Sequence, residues 1–271
     1  MPRRYRLRKI PTAARAGDAF WTQLSEQEAP PPDERTRLLC EGEIVAYELV
    51  PWGSNYTFLA ALADGKDGAP RDIAIYKPRQ GEAPLWDFPD GTLYRREYAA
   101  YLLSDWLGWG LVPETIIREG PYGIGTLQQY VESDENVDFF TLRETHRADM
   151  QRMAIFDVIT NNADRKAGHM LKGLDGKVYG IDHGLTFNTQ PKLRTVIWDF
   201  IDEPIPDELL ADLTSRFYDT EAVATLRAQF APLLDRGEID RFIKRVDRLL
   251  QLGVFPGAHA SNTHHVPWSI I

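Results

Sequence analysis

One cysteine, Cys40, is all that the 271 residues contain. No internal disulfide can form, which suits a reducing compartment. Long apolar runs are missing as well: none reaches the ~18 residues of a membrane span. The first fifteen residues hold six basic and no acidic side chains but lack the apolar stretch of a secretory signal. The expectation is a soluble, cytoplasmic protein with no membrane span. Positive charge is scarce. Thirty-one basic against forty acidic side chains give a net charge of -9, or -15 once the six charges of the basic N-terminus are set aside. Such a surface argues against nucleic acid as a partner, and the basic segment reads as a solvated tail. No internal repeat or long low-complexity tract occurs. His259, His264 and His265 lack the spacing of a metal site.

What is present is enough for one domain of two lobes: 271 residues of which 43% are hydrophobic. Residues 43–50 and 56–62 read as two strands joined by the turn Trp52-Gly53-Ser54-Asn55. Residues 72–77 alternate toward Lys77 before Pro78 breaks the pattern. A helical pattern covers 92–107, and two further strands cover 111–117 and 125–130. From Val131-Glu132-Ser133 onward the period changes to helical, over 139–159 and in three segments after Asp207. The last, 239–252, carries Phe242, Val246, Leu249 and Leu250 on one stripe and stops at Gly253. The predicted division is an N-terminal extension over 1–40, interrupted by Ala29-Pro30-Pro31-Pro32-Asp33, an N-lobe over 41–131, a C-lobe over 132–253 and a tail over 254–271.

The chemistry concentrates in Asn161-Asn162-Ala163-Asp164-Arg165-Lys166-Ala167-Gly168-His169 and in Gly180-Ile181-Asp182-His183-Gly184. Phosphoryl transfer needs a carboxylate that orients the acceptor hydroxyl and a second that holds metal on the nucleotide phosphates. Asp164 and Asp182, on polar turns beside apolar runs, suit those roles. Upstream, Lys77 at a strand end suits the α- and β-phosphates. Glu97, one turn from Leu93 and from Tyr101, shares the buried face of its helix and wants a cation, for which Lys77 is the natural one. Each residue alone has an ordinary reading. Asp164 caps a turn, Lys77 guards a sheet edge, and Glu97 pairs with Arg95 or Arg96. Their order along the chain favours chemistry. Asp157 reads as a structural hydrogen-bonding residue, Arg165 as a loop stabiliser or a phosphate ligand, and His183 as a loop-packing group.

In these motifs, with Gly53-Ser54-Asn55, Ile75-Tyr76-Lys77, Glu97, Asn162-Ala163-Asp164-Arg165 and Ile181-Asp182-His183-Gly184 in order, the chain resembles the phosphatidylinositol 3- and 4-kinase-related branch of the protein-kinase-like fold, particularly its small actinobacterial-type members. HipA-type kinases and secretory-pathway casein kinases share the Asn-x-Asp-Arg style of loop. The resemblance implies an α+β, protein-kinase-like bilobal fold with a small antiparallel-sheet N-lobe and a mainly helical C-lobe. It implies ATP with Mg2+ or Mn2+ as cofactors. Asp164 and Arg165 are the implied catalytic pair; Gly53, Ser54, Asn55, Lys77 and Glu97 the nucleotide-binding set; Asp182 and His169 the metal ligands. His169 stands where such kinases place an asparagine, five residues after the catalytic aspartate, and imidazole suits softer metals than magnesium.

The acceptor stays open: a lipid, a small molecule or a protein hydroxyl. In the segment after the metal aspartate, residues 187–200, Lys192 and Arg194 are the available anion contacts. Two other classes fit the same chain. His169 and the thin glycine turn suit a pseudokinase or nucleotide-sensing module, and seven tryptophans with the patch Pro84-Leu85-Trp86-Asp87-Phe88 suit an interaction protein. Those aromatics read more simply as packing residues.

Overall fold

A computed structural model describes residues 20–21, 24, 30–50, 54–65, 68–257 and 265–267. Trp52, Gly53, His259 and His264 lie outside them. The described chain divides into two compact units, one running to Ala83 and including Ile116–Tyr130, the other formed by Pro84–Thr115 and the residues from Val131 on.

The first unit is a five-stranded sheet with strands β1 Glu43–Leu49, β2 Phe58–Ala63, β3 Pro70–Pro78, β4 Thr115–Gly120 and β5 Gly123–Gln129, in the order β1-β2-β3-β5-β4. Strand β2, Phe-Leu-Ala-Ala-Leu-Ala, is buried along almost its whole length because it pairs antiparallel with β1 on one side and β3 on the other. The proline break before residue 33 turns out to start a helix, α1 Pro32–Glu41, with Pro32 in its first turn and Asp33 and Glu34 beside it. Proline lacks the N–H that a first turn leaves unpaired, and acidic side chains favour the positive helix end. Helix α1 buries Leu38 and Leu39 in one cluster with Phe58, Leu62, Tyr76 and Leu127. Arg35 of α1 reaches Asp72 on β3 at 2.8 Å and donates to the carbonyl of Tyr130 at 3.1 Å.

The second unit contains α2 Leu93–Trp106, α3 Phe139–Thr145, α4 Arg147–Thr160, the antiparallel hairpin β6 Met170–Lys172 and β7 Val178–Gly180, and α5 Asp207–Phe217, α6 Thr220–Phe230 and α7 Arg236–Leu252. Its core joins Leu103, Met153, Phe156, Phe187, Leu213 and Phe242. The α+β class, the antiparallel sheet and the helical second half agree with the sequence expectation. Besides α1, the β6–β7 hairpin was not expected, and two expected elements differ in their bounds. The pattern over 139–159 is two helices broken at His146, whose ψ of 47° is not helical. The break leaves the apolar phase unchanged, since Phe139, Leu142, Met150 and Met153 face one core. The strand expected over 111–117 begins only at Thr115: the N–H groups of Leu111 and Val112 donate instead to the Ser104 hydroxyl at 2.8 and 3.1 Å. Of the aromatic patch, Phe88 is buried, whereas Trp86 is 90% exposed.

Strand β3 presents Lys77 opposite Thr126 and Pro78 opposite Gly125. A Cβ at Gly125 would lie 2.4 Å from the Lys77 carbonyl oxygen and 2.6 Å from the Pro78 Cα. Backbone atoms cannot step aside as a side-chain tip can, so Gly125→Ala is expected to destabilise the protein by about 1–3 kcal/mol, the cost of overpacking. A lowered urea midpoint checks it; an unchanged midpoint would show that the two strands separate freely at this point.

Candidate active site

Helix α4 ends at Asn161, whose φ of 55° turns the chain out of the helix. Asparagine tolerates that left-handed conformation better than most residues. Its side chain then fixes the turn: Nδ2 donates to the carbonyls of Asn188 at 3.0 Å and Gln190 at 2.7 Å, while Oδ1 accepts from the Lys192 N–H at 2.9 Å. Asn162 follows the same logic. Its Oδ1 accepts from the Asp164 N–H at 3.0 Å, an Asx turn, and its Nδ2 donates to Asp157 at 2.9 Å.

Asp164 emerges from this turn half-buried. Its Oδ2 is 3.1 Å from the Lys166 Nζ. Burial raises its pKa above the ordinary value; Lys166 and Arg194 oppose that shift, and the charge of Asp182 adds to it. The two aspartates therefore feel each other's charge.

Arg165, expected beside Asp164 in the catalytic pair, is wholly buried and points the other way. Its Nε and Nη2 bond to Asp157 at 3.0–3.1 Å, and Asp157 is as inaccessible as its partner. Asp157 also accepts from the Thr195 hydroxyl at 3.1 Å. Nη2 meets the His183 Nε2 at 2.7 Å, so that ring nitrogen is the acceptor. Nη1 donates to the carbonyls of His169 at 3.2 Å and Ile181 at 3.0 Å. These carbonyls precede Met170 and Asp182. One buried guanidinium thus spans both motifs, and its geometry is that of a positioning group. His183 is buried edge-on to Phe156, as a packing group would be.

Asp182 adopts φ 60°, again left-handed. Its Oδ2 lies 3.4 Å from the His169 Nε2. Sequence expectation named these two as metal ligands, and the fold brings them together. Among the described residues no group of three or more His, Cys, Asp or Glu gathers around one point. A pair of protein donors is what a phosphate-bound divalent cation needs, because phosphate oxygens and water complete its shell. The donor set fits such an ion, with the imidazole leaning away from magnesium.

Glu97 is buried on α2, and a Cβ at Gly184 would lie 3.7 Å from its Oε2. Its carboxylate therefore sits against the loop that follows Asp182. The neighbouring Arg96 was not singled out by the sequence except as a pairing option for Glu97. It is buried, reaches Glu238 at 2.6 Å and donates to the Thr186 carbonyl at 2.8 Å. Lys192, expected as an anion contact, is instead committed to Asp87 at 2.7 Å with its ammonium 4.7 Å from the Trp86 ring. In the sheet unit, Asn55 Oδ1 accepts from the Ala83 N–H at 2.8 Å, Ser54 occupies the adjoining bend, and Lys77 stands near the end of β3.

The profile of the family described as "Phosphatidylinositol 3- and 4-kinase" matches residues 91–234, more than half of the chain, and includes Glu97, Asp164, Arg165, His169 and Asp182. The chain belongs to the phosphatidylinositol 3- and 4-kinase family. One relative is Protein Rv2133c of Mycobacterium tuberculosis, 38% identical over 87% of this chain and 95% of that protein. Another is phosphatidylinositol 4-kinase gamma 4 of Oryza sativa subsp. japonica, 33% identical over 42% of this chain and 23% of that protein. Among solved structures, hydra Fam20 with sugar superposes with a TM-score of 0.53 at 13% identity, covering 86% of this chain and 93% of that one, a likeness of fold. This member of the kinase family has no helix, among the described residues, long and apolar enough to cross a membrane.

Removing Arg165 strands Asp157 without its cation in a dry site. Arg165→Met is expected to cost about 3–5 kcal/mol of unfolding free energy, and Thr195→Val about 1 kcal/mol for one lost donor. Denaturant titration measures both; equal, small effects would show that water reaches Asp157.

Proposed function

We propose that the protein is an ATP-dependent phosphotransferase of the phosphatidylinositol 3-/4-kinase type, which moves a phosphoryl group to a hydroxyl of a lipid, small-molecule or protein acceptor. The observation that carries this reading is the buried Arg165, which donates to the carbonyls of His169 and Ile181 and so ties the turn bearing Asp164 to the one bearing Asp182. Two carboxylates held on coupled turns suit a reaction in which positioning and charge stabilisation do most of the work.

In this assignment Asp164 orients the acceptor hydroxyl and takes its proton, and Asp182 with His169 holds the divalent ion. Arg165 positions both turns without meeting substrate. Lys77 is assigned to the α- and β-phosphates, with Ser54, Asn55 and Gly53 as the phosphate turn. When bound, magnesium or manganese would neutralise charge on the β- and γ-phosphates. Family membership supports ATP as donor, and the composition supports a cytoplasmic setting. His169 in the metal pair, with the thin glycine turn, favours a second reading, a nucleotide-sensing module with little turnover.

The two aspartates should fail differently. Asp182→Ala is expected to weaken metal-dependent nucleotide binding and transfer together. Asp164→Ala should leave nucleotide affinity nearly intact while transfer falls by about 10²- to 10⁴-fold, the usual contribution of a general base. Calorimetric affinity and single-turnover transfer from ATP, each with magnesium and with manganese, check both. Wild-type transfer by Asp164→Ala would overturn the assignment of the base. Nucleotide binding without transfer to any acceptor or to water would favour the sensor.

A further inference from the structure

Gly237, Arg241 and Arg245, each a helical turn after the last, share one face of α7. The chain at Asn188 and Thr189 lies along that face. A Cβ at Gly237 would stand 3.9 Å from the Thr189 Cγ2, and two turns further on the Arg245 Nη1 donates to the Asn188 carbonyl at 3.2 Å. Arg241 sits on the helix between these two contacts. It is exposed and pairs with no carboxylate among the described residues. Arg245 is poorly matched as well: its Nε donates to the Ile159 carbonyl at 2.8 Å, but its Nη2 is closed off from water and has no partner. Burial pulls the Arg245 pKa down to about 10, and the charge of Arg241 adds to that shift. Glu238 opposes it, but its carboxylate is committed to Arg96 at 2.6 Å. Two guanidinium groups one turn apart with no anion of their own are a costly arrangement. They flank an exposed threonine.

We propose that Thr189 is a phosphorylation site and that Arg241 and Arg245 hold its phosphate. A threonine phosphate brings three acceptor oxygens and nearly two negative charges to this face, and guanidinium is the side chain best suited to receive them. Only the origin of the phosphate rests on the phosphotransferase reading above: ATP is the donor and a second copy of this chain the enzyme. Transfer within one copy is disfavoured because Asn188 is pinned on three sides, its carbonyl by Asn161 and Arg245 and its Nδ2 by the Asp87 carbonyl. In the step, the Thr189 hydroxyl oxygen bonds to the γ-phosphorus as the bond from that phosphorus to the β,γ-bridging oxygen breaks. The bridging electron pair leaves with ADP, and the hydroxyl proton passes to Asp164 of the second copy. The consequence reaches the catalytic turn, since the Asn188 carbonyl serves Asn161 and Arg245 together. A phosphate that holds Arg245 in place steadies the turn leading into Asp164.

The test uses the full chain with phosphoserine encoded at position 189, alone and combined with Arg241→Gln or Arg245→Gln. Phosphorus NMR follows the second ionisation of the phosphate, ordinarily near pH ~6. With both arginines present its midpoint is expected to fall by about one pH unit. Most of that fall should vanish in Arg241→Gln, whose exposed position spares the core. Thermal melting should place the phosphorylated chain about 2–4 °C above the unmodified one. An ordinary midpoint, or a lowered one that neither substitution changes, overturns the site. Mass spectrometry after incubation of the unmodified chain with ATP and manganese is expected to find phosphate on Thr189. Transfer to another position or to a separate acceptor, with none on Thr189, overturns the proposal and spares the phosphotransferase reading. No transfer to Thr189, to any acceptor or to water overturns both. Stabilisation of the unmodified chain by inorganic phosphate through Arg241, with Thr189 left unmodified by ATP, would assign the face to a free anion and also count against the proposal.

Discussion

The ion pair between Arg165 and Asp157 is the constraint on which the rest of the site depends. Neither side chain reaches water. Two buried charges cost free energy unless every donor and acceptor is matched, and here five residues around the pair match them. Asn162, Thr195 and the His183 ring supply partners around the pair, and the carbonyls of His169 and Ile181 take the remaining guanidinium donors. Satisfying that charge requires both turns to lie in one arrangement. Movement of either strips Arg165 of an acceptor. Specificity of geometry, more than net stability, is what such a network supplies.

Outside this centre the same turns are held by backbone conformations that favour short polar residues. Asn161 and Asp182 both have positive φ, and each is a residue type that tolerates it. The Ala163 N–H donates to the Leu185 carbonyl at 2.9 Å and the Phe187 N–H to the Thr160 carbonyl at 2.6 Å. The chain before Asp164 is thereby stitched to the chain after Asp182. Arg96 extends the linkage to α2 and α7 through Thr186 and Glu238. Glu97, its neighbour, inherits a fixed position against Gly184. Catalysis by positioning needs such supports, because misplacement by an ångström is costly.

Much of this was legible in the sequence where the signal is local. Period-2 runs located β1, β2, β3 and β5, and the stripe ending at Gly253 located the last helix. Asp164 and Asp182 stood out by their order and polar surroundings, and the structure brings them near enough for their charges to interact. What stayed hidden depends on distance along the chain. Arg96 meets Glu238 across 142 positions, and nothing near either residue announces it. Lys192 looked available to an anion, but its partner Asp87 comes from before α2. The helix break at His146 was invisible because both halves keep one apolar phase. The proline run before Asp33 was legible as a break but not as a helix start. Arg165 shows the limit most clearly: the sequence left it open between a loop stabiliser, a phosphate ligand and a member of the catalytic pair, and only its burial against Asp157 favours the first.

Asp182 Oδ2 and His169 Nε2 lie 3.4 Å apart, and in the proposed function they share a cation on a nucleotide within reach of Asp164. Anomalous scattering from manganese in crystals grown with adenylyl imidodiphosphate tests it most directly. One manganese peak is expected within ligand distance of both an Asp182 carboxylate oxygen and the His169 Nε2, on the nucleotide phosphates. A nucleotide bound with its manganese away from both residues would contradict it.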